Sequence, residues 1–93
     1  MLLKLTEARY LKDYQLFLKF NDHSSGVVDL RDKIFHETRD LFRDLEDKNF
    51  FQNFKLDRWT IHWENGLDLA PEFLHEMMLK QAEKPGAKSP FIK

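Results

Sequence analysis

A chain of 93 residues with 42% hydrophobic and 33% charged positions has room for one domain, burying about 65% of its unfolded surface, and none for a second. The absence of cysteine excludes a disulfide framework and a thiolate metal site. Fifteen Lys and Arg against 16 Asp and Glu leave a net charge of -1, so no whole-molecule attraction to nucleic acid or to an acidic membrane is expected.

Leu2, Leu3 and Leu5 are followed at once by Glu7, Arg9, Lys12 and Asp13, which interrupts any apolar signal core or membrane span and leads to a cytoplasmic reading. Leu3 to Leu11 reads as a strand with imperfect alternation, hence a bulge near Glu7, turning through Lys12-Asp13. Tyr14, Leu16, Leu18 and Phe20 then alternate with Gln15, Phe17 and Lys19, the period of a half-buried strand. The turn formers from Asn21 to Gly26 precede a short strand over Val27 to Leu30, so the pair reads as a β-hairpin.

From Arg31 the period becomes helical: Ile34, Phe35, Thr38, Leu41, Phe42 and Leu45 share one face. Asp29 or Asp32 is placed to cap its start, and Lys48 to Phe51 fits a short helical piece. Residues 31–58 hold seven basic and seven acidic side chains, a mixed solvated face rather than a phosphate cradle. Trp59, Ile61 and Trp63 alternate with Thr60, His62 and Glu64, which predicts a strand with both indoles in the core. Asn65-Gly66 predicts a type I′ turn returning through Leu67-Asp68-Leu69. Pro71 opens a last helix with Phe73, Leu74, Met77 and Met78 on its apolar face and Glu72 and Glu76 in its first turns. The domain is thus expected over 1–82, with a flexible tail over 83–93 unless Phe91-Ile92 docks.

Little catalytic chemistry is legible. His36-Glu37 and His75-Glu76 each begin a His-Glu-x-x-His zinc pattern, but Asp40 and Leu79 stand where the second imidazole is required. His23 sits in a turn. His62 shares a strand face with Thr60 and Glu64, so a hydrolase or metal enzyme using His62 and Glu64 is the competing class, although no orienting partner is visible. Ser24, Ser25 and Ser89 lie in a turn or the tail, and neither a nucleophile elbow nor a glycine-rich loop occurs. No catalytic residue, metal or cofactor is therefore expected. Phe17, on the face of Gln15 and Lys19, is expected toward solvent and is a candidate protein contact. Residues 59–79 carry Glu64, Asp68, Glu72 and Glu76 with no Lys or Arg, while residues 80–93 carry +3. An acidic surface for a basic partner is one reading, and its neutralisation by the tail lysines another.

The run Trp63-Glu64-Asn65-Gly66-Leu67-Asp68-Leu69-Ala70-Pro71-Glu72-Phe73-Leu74 resembles the Trp-x-Asn-Gly-x-Asp-Leu-x-Pro-Glu-x-Leu signature of the bacterial domain-of-unknown-function family numbered 2442. Tyr14 to Asp22, Gly26 to Leu30 and Phe51 to Asp57 are similar to its other blocks, so the resemblance covers about residues 3 to 80. His23 stands where members often have a turn glycine, and Glu64 where proline is usual. The resemblance implies an α+β domain without an established activity or agreed cofactor. Small members are often encoded beside a protein of the family numbered 4160 in arrangements like toxin–antitoxin pairs. Others precede a helix-turn-helix, which implies a regulatory or sensory alternative, but no such helices are expected within residues 1–93.

The expected fold is therefore α+β, one antiparallel sheet of two β-hairpins covered on one face by the Ile34–Leu45 and Pro71–Met78 helices. Trp63, Gly66, Leu69 and Pro71 are read as structural, and Phe17, Glu64, Asn65, Asp68 and Glu72 as a candidate interaction rim. The expected function is a non-catalytic interaction module, antitoxin-like, whose partner is a small protein encoded nearby, with self-association left open.

Overall fold

The computed structural model describes residues 2–83. Within them β1 (Leu5–Lys12), β2 (Gln15–Phe20) and β3 (Ser25–Asp29) form an antiparallel sheet in the order β1-β2-β3. Alternation along β2 sends Leu16, Leu18 and Phe20 into the core together with Tyr14 and Val28. The pairing of β1 with β2 shifts between Leu5 and Glu7, where the bulge is expected, and again between Tyr10 and Lys12. The turn that follows is at Asp13-Tyr14, one residue later than the sequence suggests, with Asp13 at φ 49°. A short polar side chain tolerates that left-handed geometry better than most.

Chain order continues with α1 (Arg31–His36), α2 (Asp40–Asp44), α3 (Lys48–Phe51), β4 (Lys55–Leu56), β5 (Ile61–His62) and α4 (Pro71–Glu83). The single helix expected over Ile34–Leu45 is instead broken between α1 and α2. Glu37 and Arg39 are extended, with ψ 136° and 139°. The Glu37 carboxylate accepts from Lys33 Nζ, from an Arg39 guanidinium nitrogen and from the Thr38 N–H, so side-chain bonds hold the break that helical backbone bonds would otherwise close. Ile34 and Phe42 are still buried, each on its own short helix, whereas Phe35 and Leu41, both expected inside, are exposed. At the start of α1 the capping is indirect: Asp29 Oδ1 accepts the Arg31 N–H at 2.9 Å.

The second half of the expected sheet is also different. β4 and β5 form a separate two-stranded sheet, and beyond it the return strand is reduced to one bridge, His62 with Asp68. Ile61 and Trp63 are buried as expected, but Trp59 is not: it lies in the turn between β4 and β5 and is 42% exposed. Asp57 causes this, because its Oδ1 accepts the N–H groups of both Trp59 and Thr60 and makes a turn where alternation alone implies extended chain.

Asn65-Gly66 does turn the chain, in a different geometry from type I′. Gly66 N–H donates to the Trp63 carbonyl, Trp63 N–H donates to the Leu67 carbonyl, and only Gly66, at φ 95°, enters the left-handed region. This is a three-residue loop with its third residue left-handed. The β2–β3 loop repeats it: His23 N–H donates to Phe20, Phe20 N–H to Ser24, and His23 stands at φ 74°.

α4 runs along β3. His75 meets Asp22 at 2.9 Å before β3 begins, Met78 lies over Gly26, and the Gln81 amide exchanges two hydrogen bonds with the Asp29 backbone. Glu83, expected to open the tail, closes this helix, and residues 84–93, with the expectation for Phe91-Ile92, lie outside the described residues. The core is centred on Phe51, whose ring packs against Tyr10, Tyr14 and Trp63. Three donors tie irregular chain to that core: Tyr14 Oη to the Glu46 carbonyl, Thr60 Oγ1 to Leu69 and Trp63 Nε1 to Phe51. Among the described residues no helix is long and apolar enough to cross a membrane.

Candidate interaction site

With Leu16, Leu18, Phe20 and Val28 turned inward, the other face of the three-stranded sheet holds the odd-numbered residues of β2 and their partners. Register makes Arg9, Phe17 and Val27 one row across β1, β2 and β3. Glu7, Lys19 and Ser25 make the next row, and Lys12, Gln15 and Asp29 the row on the other side. The residues of these rows are exposed or half-buried, and Val27 is 46% exposed. The face is uncovered among the described residues.

Phe17 is at its centre, half-buried rather than fully in solvent. The Arg9 guanidinium lies 4.8 Å from its ring centroid while Arg9 Nε bonds Glu7 Oε2 at 2.8 Å. A cation held over a ring contributes about 0.5–1 kcal/mol at an exposed site. The carboxylate thus aims the guanidinium at the aromatic ring. Arg9 and Val27 are part of this surface that sequence reading misses. Parity places Val27 outward once the hairpin is drawn, but Arg9 needs the register beyond the bulge.

The other rim candidates are elsewhere. Asn65 is half-buried and committed to the fold: Nδ2 donates to the Leu41 carbonyl and to Asp44 Oδ2, and Oδ1 accepts the Leu67 N–H. It ties the hairpin to α2, on the inner side of the sheet. Glu64 lines a hollow of about 340 Å³ with Gln52, Asn53, Phe54, Lys55 and Trp63. Asp68 and Glu72 are exposed and, among the described residues, make no side-chain hydrogen bond or ion pair; Glu76 pairs with Lys80 at 3.4 Å. The structure therefore does not bring Phe17 together with Glu64, Asn65, Asp68 and Glu72. Of the residues read as structural, Trp63 and Leu69 are buried, Gly66 supplies the left-handed turn residue and Pro71 opens α4.

His62 faces Asp57 rather than Glu64. Its Nδ1 lies 3.2 Å from Asp57 Oδ2, a contact not aligned as a hydrogen bond. The N–H groups of Thr60 and Trp59 hold the Asp57 carboxyl below the usual carboxylate range, with a smaller contribution from His62. Among the described residues no cluster of three His, Asp or Glu side chains is placed to hold a metal.

A family model described as a protein of unknown function, DUF2442, matches residues 5–76. No curated protein and no solved structure matches the chain.

Proposed function

We propose that this chain, which belongs to the DUF2442 family, is a non-catalytic protein-binding module. Its partner is a small protein encoded beside it, and this chain is the antitoxin-like half of the pair. The observation that carries the reading is the sheet face that none of the described residues covers, where Phe17 and Val27 adjoin under an aimed Arg9. Aromatic and Arg side chains at the centre of a patch are the residues on which interface energy concentrates. Arg9, Lys12 and Lys19 outnumber Glu7 and Asp29 on the same face, a balance that suits a partner whose apolar segment is flanked by carboxylates.

Co-expression with the adjacent reading frame, followed by size exclusion, tests this. The expected result is a single complex that Phe17→Asp and Arg9→Glu each dissociate, the former weakening binding by about 2 kcal/mol or more, with circular dichroism unchanged. Separate elution of the two unmodified proteins would overturn it.

A further inference from the structure

Trp59 and Trp63 are two residues of one apparent alternation with opposite fates. Trp63 is 1% exposed, and Trp59 stands out in the turn between β4 and β5. Its position is fixed by several bonds. Asp57 Oδ1 accepts Trp59 N–H at 2.7 Å and Thr60 N–H at 2.9 Å, and Asp57 N–H donates to the Thr60 carbonyl at 2.9 Å. The Trp59 carbonyl accepts the Leu5 N–H at 2.9 Å, and Thr60 is buried with its hydroxyl on the Leu69 carbonyl. Backbone so held on both sides keeps the indole from folding inward. An exposed indole on a fixed turn loses little conformational freedom on binding and offers large apolar area.

Two cations stand beside it. Arg58 beside it is exposed, and Lys4 Nζ lies 5.6 Å from the indole centroid. The turn's own carboxylate, Asp57, is partly exposed, with one oxygen engaged by two N–H groups and the other 3.2 Å from His62 Nδ1, so the cations outnumber it. Leu56, leading into the turn, is exposed and adds apolar surface.

We propose that this turn, with Trp59 at its tip and Arg58 and Lys4 beside it, is a second docking site that takes an acidic segment of another protein, an apolar side chain meeting the indole and flanking carboxylates meeting the two cations. The site lies off the edge of β1, where Leu5 bonds Trp59, and is separate from the Phe17 face, so each stands or falls without the other.

Intrinsic fluorescence tests it, because Trp63 is buried and a change in solvent-exposed emission belongs to Trp59. The full chain is titrated with a synthetic peptide alternating glutamate and leucine, with its lysine–leucine counterpart, and with oligo-dT. The expected result is a saturable blue shift and acrylamide protection with the acidic peptide only, about tenfold weaker in Arg58→Glu and in Lys4→Glu, while titration calorimetry with the same peptide shows binding to the unmodified chain and none to Trp59→Ala. Circular dichroism and the buried Trp63 emission report that each variant is folded. No response to the acidic peptide, an equal response in the charge-reversed variants, or saturation by oligo-dT instead would each overturn the proposal.

Discussion

His23 stands at φ 74° in a three-residue loop whose counterpart at the other hairpin is filled by Gly66. The left-handed region costs an L-residue roughly 1–2 kcal/mol, and glycine returns part of that through its greater freedom in the unfolded chain, about 0.5–1 kcal/mol. The His23 side chain is exposed and makes no hydrogen bond among the described residues, so its removal loses nothing. His23→Gly is therefore expected to stabilise the protein by about 0.5–1 kcal/mol, a rise of roughly 3–6 °C in Tm on thermal denaturation.

The attachment of α4 to β3 depends on the small size of Gly26. A Cβ there would come within 3.1 Å of Met78 Cγ and 3.2 Å of its Sδ, closer than packed carbons settle. Gly26→Val is expected to push α4 outward and cost about 1–3 kcal/mol. The check is denaturant titration together with hydrogen exchange at Asp29, whose N–H is held by Gln81 on that helix. Elements of this kind differ in how far the chain announces them. β2 was readable because Tyr14, Leu16, Leu18 and Phe20 have one fate each on one face, and α4 because Pro71 and its apolar spacing agree. The Trp59–Trp63 alternation misled because Asp57 captures two N–H groups and bends the chain, a local bond invisible to a two-residue period. The Ile34–Leu45 periodicity misled similarly, since the Glu37 carboxylate interrupts a helix that the spacing permits. For the candidate site, Phe17 followed from parity, while Arg9 required knowing how β1 slips past its bulges, which no single strand encodes.

Across the whole molecule, two carboxylates link hairpin and helices to pH. Ser24, through its hydroxyl and its N–H, and then His75, hold the Asp22 carboxyl down at about 2. Arg39 and Lys33 hold Glu37 down to about 2. Both folded values lie below the ordinary ones of 3.8 and 4.5, so the unfolded chain takes up these protons first. Their contribution to stability is complete above about pH 5 and is lost as pH falls through the range toward 2. Denaturant midpoints measured across that range are expected to fall with acid, and to fall less steeply in Asp22→Asn and Glu37→Gln. A different logic governs the stretch from Glu46 to Leu69, which has little ladder of its own and is held by side chains: the hydroxyls of Tyr14 and Thr60, the indole N–H of Trp63, the Asp57 carboxylate, the Asn65 amide and the buried Phe51 and Ile61. A path pinned at discrete residues leaves the exposed positions between them free to drift over generations, so variation among descendants of this chain should pool between the pins and thin out sharply at them.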